Sequence, residues 1–505
     1  MTAPSAPARI RGRAPILCLV IVALVAGLVA GRTHAPGAAK PTVPVDALQR
    51  SHSGALSTAW YCPGLPTSIP LRDQTLTLSN LGSVDAQAVV TVQPDAGTGP
   101  IVRRVTVRRY TAQTFERASL DVAAESTTGT TGRLVRGTLP PGPIVVEPLS
   151  PDVVVWAGVE SDGALETVPC ATSASTDWYF AAGETVRGVK QWLVLDNPFS
   201  ADARVDVTLQ TDSGLQQLPA LQGIDVAGRS RVVIPIHQNA VYQARVAVQV
   251  HAGVGQVVAS QTLVFEPASG TPGVATAIGA LAPASRWWFT DGDARKGASQ
   301  WVAISDLGPL DAQVVVQALV GPRAIVNPVL LTVPSGGVSW VQIGGCKRAQ
   351  ANCSPVPTGT GYELAVQADG KAPIVAQTLS RFNADAGPLG ATTSLGSTTP
   401  ARQWVIARTR VVGERSTSIG LMNPDVRRPA HVEVEVVHDG VVDRPDALQH
   451  IAVAPNARLV LPGSTAGASH LDDAALVITS DIPIFTESTI YAQKDATRSP
   501  GIPTR

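Results

Sequence analysis

Short runs of alternating apolar and polar residues recur along the chain from residue 60 to its end. Gly, Pro, Asn or Asp bounds each run, and Val and Thr are frequent inside the runs. Alternation with a period of two predicts half-buried β-strands, and the bounding residues predict tight turns. No convincing amphipathic helix lies between the runs, so the pattern predicts an all-β fold.

The strand pattern repeats four times. Four tryptophans each open a strand-like run: Trp60 in WYCPG, Trp178 in WYFAAG, Trp287 in WWFTDG and Trp404 in WVIARTR. Nineteen or twenty residues after each tryptophan, a polar residue ends a second strand-like run. These residues are Asn80, Asn197, Asp306 and Asn423. Turn residues and a third alternating run follow each of them, so the chain contains an internal repeat.

Each repeat has a length of 109 to 118 residues and contains roughly seven predicted strands. This size predicts an immunoglobulin-like β-sandwich. A four-bladed propeller is the main alternative, but a blade needs only four strands. We therefore predict four tandem β-sandwiches at residues 58–175, 176–284, 285–400 and 401–505. Short linkers such as 171–177 predict an extended, stiff array. The fourth sandwich lacks an edge strand or completes it from elsewhere.

The N-terminus has a different pattern. Arg9, Arg11 and Arg13 precede an uncharged apolar run from Ala14 to Gly31. Its eighteen residues approach the lower limit for a transmembrane helix, and the arginines favour a cytoplasmic N-terminus. The sequence predicts a cytoplasmic tail at 1–13, a single membrane span at 14–31 and an Ala/Pro-rich tether at 32–57. The alternative is a cleaved signal peptide, which gives a secreted protein.

Composition narrows the function classes. Lys+Arg and Asp+Glu are both 39 in a chain of 505 residues, so no basic excess points to nucleic acid. Charged residues are only 15% of the chain and the mean hydropathy is +0.15, which excludes a mainly disordered protein. The length predicts several domains.

Four cysteines lie outside the apolar run, an even number for an oxidising compartment. Cys62 and Cys170 stand at repeated positions near the start and the end of the first repeat, which predicts a disulfide between them. Cys346 and Cys353 bracket a short loop that a second disulfide closes.

Catalytic and metal-binding motifs are missing from the sequence. It contains no GxSxG, no HExxH and no phosphate-binding loop, and its histidines are scattered. DGDARKG at Asp291 lacks the ligands of an EF-hand at the required positions. We therefore predict no enzyme activity, no cofactor and no metal.

Candidate contact residues come from strand alternation. Trp192 and Trp301 are expected to face outward, where they either stack on a glycan or a partner, or pack against a neighbouring domain. Lys347 and Arg348, in the loop between Cys346 and Cys353, are a second candidate contact point.

The single N-terminal membrane segment, the WYCPG motif and strands such as PIVAQT resemble a family of actinobacterial envelope proteins with a domain of unknown function. The resemblance implies an exported, membrane-tethered protein and supplies no catalytic residues. We expect a structural, scaffold or binding role in the cell envelope, with a wall glycan or an envelope protein as partner. The alternatives are a glycan-active enzyme and an assembly factor for a membrane glycosyltransferase.

Overall fold

The computed structural model describes residues 59–69, 74–95, 99–116, 142–161, 164–320, 324–347, 350–409, 416–462, 473–492 and 495–504. This part of the chain is all-β, as predicted. Its helices are one α-helical turn, Ile236–Asn239, and five 3₁₀ turns, Pro219–Leu221, Pro267–Ser269, Asp369–Lys371, Ala384–Ala386 and Asp446–Leu448. No helix in these ranges is long and apolar enough to cross a membrane. The predicted tail, membrane span and tether at 1–57 lie outside the described residues.

The first eight strands form two sheets, and we call this part of the chain segment 1. One sheet has the order β1-β6-β3-β4 and the other the order β5-β2-β7-β8. The bounds are β1 Trp60–Cys62, β2 Gln74–Asn80, β3 Ala86–Val92, β4 Ile101–Val107, β5 Thr111–Glu116, β6 Ile144–Pro148, β7 Val153–Ser161 and β8 Ala164–Pro169. We call the sheet that holds the opening tryptophan the outer sheet and the other the inner sheet.

Segment 2 comprises the next nine strands. Its outer sheet has the order β12-β11-β15-β9, with β13 also on β11, and its inner sheet has the order β14-β10-β16-β17. The bounds are β9 Asp177–Phe180, β10 Val189–Asn197, β11 Ala203–Thr211, β12 Gly214–Gln216, β13 Ile224–Val226, β14 Ser230–Pro235, β15 Val246–Val254, β16 Val258–Phe265 and β17 Gly273–Ile278.

Segment 3 comprises ten strands in the same arrangement. Its outer sheet has the order β18-β25-β20-β21, with β22 also on β20, and its inner sheet has the order β24-β23-β19-β26-β27. The bounds are β18 Arg286–Asp293, β19 Ala298–Asp306, β20 Ala312–Val320, β21 Ala324–Ile325, β22 Val329–Val333, β23 Val338–Ile343, β24 Cys353–Ser354, β25 Gly361–Ala368, β26 Ile374–Phe382 and β27 Gly390–Leu395.

Segment 4 joins its two sheets through one long strand, β34, whose first half pairs with β28 and β30 and whose second half pairs with β29 and β35. The bounds are β28 Ala401–Ile406, β29 Ser416–Asn423, β30 Ala430–His438, β31 Val441–Asp443, β32 Ile451–Val453, β33 Ala457–Pro462, β34 Ala475–Tyr491, β35 Ala496–Pro500 and β36 Ile502–Pro503. The last residues of the chain therefore supply the edge strand that the sequence left unassigned.

The opening tryptophans fill the space between the two sheets of each segment. Trp60, Trp178, Trp287 and Trp404 are at most 2% exposed. Three of the four indole nitrogens donate to a backbone carbonyl in or next to a strand of the inner sheet. The acceptors are the carbonyls of Val257, Ile374 and Ile484. A buried indole needs such an acceptor, so the tryptophan fixes the outer sheet against the inner one.

A buried asparagine fixes the turn between the two sheets. The Asn197 side chain accepts from the Phe199 backbone N–H at 3.1 Å and donates to the carbonyls of Ala201 and Val226. Asn80 and Asn423 make the same set of bonds in their own segments. The repeated polar residue of the sequence is thus a local tie among turn, inner strand and outer strand.

The prediction of an extended array is wrong. The inner edge strands β8, β17, β27 and β35 contact one another in cyclic order, and β35 returns to β8. The Ser79 hydroxyl donates to the Ala407 carbonyl at 2.6 Å, which joins segment 1 to segment 4. Four inner sheets with their edge strands in a closed ring resemble propeller blades, the alternative that strand number argued against.

Asp306 is the acidic exception among the four turn residues, and replacing it by Asn is expected to stabilise the fold. Its carboxylate accepts from the backbone N–H groups of Gly308 and Ala312, but it has no N–H to donate to a backbone carbonyl. Burial also raises its pKa. Asp306→Asn supplies the amide donor that Asn197 uses, and we expect the free energy of unfolding to rise by about 1 kcal/mol in thermal or denaturant unfolding.

The reverse change provides the control for this prediction. Asn197→Asp removes the donor to the Ala201 and Val226 carbonyls and is expected to lower the free energy of unfolding by about 2 kcal/mol. If Asp306→Asn lowers the melting temperature while Asn197→Asp leaves it unchanged, the assigned role of the turn residue is wrong.

Candidate functional site

The centre of the ring is the strongest concentration of buried polar groups. The Asp495 carboxylate, at the start of β35, accepts from the backbone N–H of Leu165 at 2.9 Å, of Ala391 at 3.2 Å and of Ala496 at 2.8 Å. The Val274 N–H is a fourth donor to it. One carboxylate therefore binds the first residues of all four inner edge strands.

Glycine makes room for this carboxylate. A Cβ on Gly390 would lie 2.0 Å from Oδ1 of Asp495, far inside van der Waals contact. Gly273 stands at the same strand position in segment 2, and its Cβ would lie 3.3 Å from that oxygen. The close approach of the aspartate therefore requires Gly390, whereas at Gly273 the backbone of Ala391 is closer still, at 3.0 Å.

A second set of bonds runs around the ring one step further along the strands. The Thr497 hydroxyl accepts from the Thr167 N–H at 3.0 Å, and the Thr392 hydroxyl accepts from the Arg498 N–H at 2.8 Å. The Glu166 carboxyl, at the corresponding position of β8, accepts from the Thr276 N–H. Side chains of one edge strand thus form hydrogen bonds with the backbone of the next. In an ordinary β-sheet, backbone groups alone form the bonds between strands.

Neighbouring segments also satisfy each other's backbone outside the ring. The Gln377 side chain accepts from the N–H groups of Ala181 and Ala182, both at 3.1 Å. Glu487 stands at the corresponding position of segment 4 and accepts from Thr290 and Asp291, again at 3.1 Å. Ala181 and Ala182 directly follow strand β9, and Thr290 and Asp291 lie within strand β18. Each contact therefore holds one segment against the next.

Two buried arginines make equivalent contacts between neighbouring segments, one between segments 1 and 2 and the other between segments 3 and 4. Arg231 of segment 2 donates to the carbonyls of Pro63 and Leu65 and pairs with Asp95, all in segment 1. Arg458 of segment 4 donates to the Thr290 carbonyl of segment 3 at 2.9 Å. Both guanidinium groups are used for assembly of the fold.

Burial dominates the electrostatics of these carboxyl groups. Burial raises the pKa of Glu166 well above its ordinary value, and the nearby Asp495 carboxylate raises it further. Burial also raises the pKa of Asp495 well above its ordinary value, against the hydrogen bonds that its carboxylate accepts from backbone N–H groups. Burial also raises the pKa of Glu487, against the charge of Arg498. Burial raises the pKa of Glu363 to about 8, against Arg458. These perturbed acids face neighbouring segments.

The two predicted disulfide pairs are present, Cys62 with Cys170 and Cys346 with Cys353. In segments 2 and 3, Phe180 and Phe289 occupy the position of Cys62, and glycines occupy that of Cys170. A Cβ on Gly279 or Gly396 would lie 2.8 or 2.7 Å from the corresponding phenylalanine ring. The disulfide therefore replaces a ring packed on a glycine.

A small cavity of about 20 Å³ adjoins the first disulfide. Cys62 and Cys170 line it together with Leu65, Val159 and the buried Glu166. Because a phenylalanine ring fills the corresponding place in segments 2 and 3, the cavity follows from the smaller cysteine pair.

A second cavity, of about 30 Å³, lies on the ring axis. All four inner edge strands line it, through Val168, Ile278, Leu395 and Pro500 among others. Its polar lining includes Thr276, Thr393, Ser394 and Arg498, and the Ser394 hydroxyl already donates to Glu487 at 2.5 Å. The residues that line this cavity hold the strands together.

The predicted contact tryptophans lie against protein side chains. Trp192 is half-buried, with its ring edge-on to His237 at 4.9 Å. Trp301 is half-buried beside Trp340 at 6.2 Å, and the Arg381 guanidinium, which pairs with Glu184 of segment 2, lies 5.8 Å from its ring. The structure does not bring the two tryptophans together.

The loop between Cys346 and Cys353 presents Lys347 to solvent, with its backbone N–H bonded to the Gln350 side chain at 2.9 Å. Arg348 lies outside the described residues. Within the described ranges, no three His, Cys, Asp or Glu side chains group as metal ligands do. Asp291 lies in strand β18 and is buried, and only the second half of DGDARKG forms the connection between β18 and β19.

Sequence reasoning missed the residues that close the ring. Asp495, Glu487, Arg498 and Glu166 belong to no motif, and their partners lie far away in sequence. The one available signal was the alignment of Glu487 and Arg498 with the neutral pair Gln377 and Thr393, which are also in contact. A charged pair in place of a neutral pair on a buried strand indicates an internal role.

Comparisons with known proteins add a family and no activity. The sequence model of the Family of unknown function (DUF5719) matches residues 148–403, just over half of the chain. The WYCPG motif lies outside that match. The search of curated proteins finds no match.

Three solved structures show only weak likeness. The Anabaena sensory rhodopsin transducer is 23% identical, over 19% of this chain and 85% of its own, with a TM-score of 0.16. The Thermotoga maritima 1070 structure is 17% identical, over 23% and 94%, with a TM-score of 0.18. A tetra-tandem repeat in the extending region of a large adhesion protein is 10% identical, over 88% and 99%, with a TM-score of 0.12.

Replacing the first disulfide by the phenylalanine–glycine pair of segments 2 and 3 tests how much the disulfide contributes to stability. Removing it through Cys62→Ser with Cys170→Ser is expected to lower the free energy of unfolding by about 2–5 kcal/mol. Cys62→Phe with Cys170→Gly places a ring beside the small cavity, as in segments 2 and 3, and is expected to recover about 2 kcal/mol through burial. Thermal unfolding without reductant gives the order wild type, Phe/Gly pair, Ser pair.

A Phe/Gly variant that is less stable than the Ser variant would show that the two arrangements are not equivalent. The single change Cys62→Phe, with Cys170 retained, serves as control. It leaves Cβ and Sγ of Cys170 where segments 2 and 3 have a glycine, so we expect it to be less stable than the pair.

The raised carboxyl pKa values predict that the fold is most stable in mildly acidic solution. A carboxyl whose pKa is higher in the folded state holds its proton more tightly there. Stability is therefore lost as pH rises from the unfolded pKa towards the folded one. For Glu363 this window runs from about 4.5 to about 8. We expect the melting temperature to fall between pH 5 and pH 8.

Glu363→Gln is expected to reduce this slope by up to about 1.4 kcal/mol per pH unit, because Gln does not titrate. Glu433→Gln, at an exposed position of β30, is the matched control and should leave the slope unchanged. Equal slopes in the wild type and in Glu363→Gln would contradict the assignment.

Proposed function

Starting from the fact that the chain belongs to the Family of unknown function (DUF5719), we propose a scaffold or binding protein of the bacterial cell envelope. In this proposal the N-terminal segment 14–31 anchors it in the cell membrane and the ring lies outside the cytoplasm. Its partner is an envelope protein or a wall glycan, and its source is an actinobacterium.

The two disulfides support the extracytoplasmic location. Cys62 with Cys170 and Cys346 with Cys353 use all four cysteines beyond the apolar run. Such bonds form and persist in oxidising compartments and are rare in the cytoplasm. The arginines before residue 14 place the N-terminus on the cytoplasmic side if the run spans the membrane.

The observation that carries the scaffold role is the use of the perturbed carboxyl groups. Glu166, Glu487 and Asp495 bind backbone or hydroxyl groups of neighbouring segments. A glycosidase needs two carboxyl groups on either side of an open cleft. Glu166, Glu487 and Asp495 hold segments together instead, which favours a scaffold over a glycan-active enzyme.

The repeat architecture is part of the proposal. Four two-sheet units, each opened by a buried tryptophan and closed by an inner edge strand, descend from one unit in this view. Each unit is similar to an immunoglobulin-like domain in its size and in having two sheets. The strand order differs, because the first two strands of an immunoglobulin constant domain share a sheet, whereas β9 and β10 lie in different sheets.

The experiment that tests the function combines fractionation with crosslinking. Full-length protein expressed in an actinobacterial host is expected in the membrane fraction, with its ring accessible to protease added outside the cytoplasm. In-cell crosslinking is expected to recover an envelope protein or a wall polymer. An assembly factor would instead recover a membrane glycosyltransferase.

The proposal fails if the protein stays in the cytoplasm with reduced cysteines, or if it is exported and crosslinks to nothing. Hydrolysis of envelope polysaccharide by the purified protein would replace the scaffold role by the enzyme alternative. A Glu487→Gln variant that abolished this hydrolysis while its fold remained intact would place the reaction at the ring.

A further inference from the structure

The outer edge of segment 1 carries a cluster of arginines that the scaffold role does not use. Arg103, Arg104, Arg108 and Arg109 lie in β4 and in the turn that follows it. β4 is an edge strand of its sheet. Arg104, Arg108 and Arg109 are exposed, and Arg103 is half-buried. We call these four residues the arginine edge.

No carboxylate of the described chain forms a salt bridge with the arginine edge. Asp85 is the nearest acid along the neighbouring strand, and it accepts from the Arg109 backbone N–H at 2.9 Å. Glu147 lies two strands from Arg104, since both are paired with Val89. That separation is roughly 10 Å, about one Debye length at physiological salt. Within the part of the chain that the structure describes, the positive charge of the arginine edge is therefore not paired.

The other three segments lack this charge. The residues that correspond in strand pairing are neutral in segments 2 and 3, and in segment 4 only a histidine is titratable. They are Gln222, Gly223, Ala227 and Gly228 in segment 2, Val329, Leu330, Pro334 and Ser335 in segment 3, and Gln449, His450, Ala454 and Pro455 in segment 4. The arginine edge is thus an addition to the common unit.

Apolar side chains accompany the arginines. Val84 is 65% exposed in the turn before β3, Val102 is 51% exposed in β4, and Leu149 is 67% exposed after β6. The Leu149 N–H donates to the Gln87 carbonyl, and Asp85 joins the Val84 turn to Arg109, so Val84 and Leu149 lie near the Arg108–Arg109 end. Cations mixed with exposed apolar residues fit the interface of an anionic membrane.

The position of segment 1 in the chain favours an anionic membrane over other polyanions as the partner of the arginine edge. The first described strand, β1, belongs to the same sheet as β4. The preceding sequence contains the apolar run 14–31, which the proposed function places in the membrane. We propose that the arginine edge, with Val84, Val102 and Leu149, docks segment 1 onto an anionic lipid surface. This inference rests on the membrane location in the proposed function.

Hydrogen exchange of the full-length protein on vesicles tests the docking. Phosphatidylcholine vesicles, with or without added phosphatidylglycerol, are the two surfaces. Amides of residues 101–107 are expected to exchange about five-fold more slowly on the anionic vesicles, as for a strand covered about four-fifths of the time. The difference should vanish at high salt, because screening removes the attraction.

A charge-matched pair of variants isolates the surface. Arg104→Gln with Arg108→Gln and Arg109→Gln is expected to lose the slowing. Arg187→Gln with Arg286→Gln and Arg402→Gln removes the same charge from exposed positions elsewhere and should keep it. Equal exchange on both vesicle types, or loss of the slowing in both variants, would overturn the docking.

Two further readouts separate this proposal from its premise and from a rival ligand. Flotation with phosphatidylcholine vesicles at high salt reports the N-terminal anchor independently of the arginines, so its failure counts against the proposed location alone. Slowing by a soluble anionic polysaccharide, with none on anionic vesicles, would replace the lipid surface by a glycan.

Discussion

The ring depends on one buried carboxylate. Asp495 receives backbone N–H groups from all four inner edge strands, and a buried acceptor of this kind cannot be left unpaired without a large cost. Edge strands normally present such N–H groups to solvent or to another chain. Here one side chain gathers them on the axis, and Gly390 leaves the space that this requires. Asp495 thus joins the four strands at one end, and Thr497, Thr392 and Glu166 continue the closure further along them.

Local order was predictable from the sequence because its causes are local. Strand alternation, the buried tryptophans, the turn asparagines and the two cysteine pairs each involve residues within one segment. Closure was not predictable, because the bonds from Thr167 to Thr497 and from Ser79 to Ala407 join residues about three hundred positions apart. Short linkers argued for an extended array, yet a short linker is equally compatible with a constant turn between segments that closes after four.

The interior shows that one backbone arrangement accepts different chemistry. A disulfide in segment 1 stands where segments 2 and 3 pack a ring on glycine. Gln377 with Thr393 in segment 3 corresponds to Glu487 with Arg498 in segment 4. Asp306 takes a place that asparagine holds elsewhere. In each case the backbone arrangement is kept although side-chain volume or hydrogen bonding changes. Differences inside the segments therefore reflect stability more than function.

The exterior follows a different logic. An exposed charge is not required by the fold, since substitutions there change stability little. Four arginines concentrated on one edge, absent from the three corresponding edges, therefore cannot be attributed to folding in the way that Arg231 or Arg458 can. Protection of an edge strand against aggregation would apply equally to all four segments. The asymmetry is tied to segment 1, which follows the apolar run, and this directs the search for function to the outer surface of the ring.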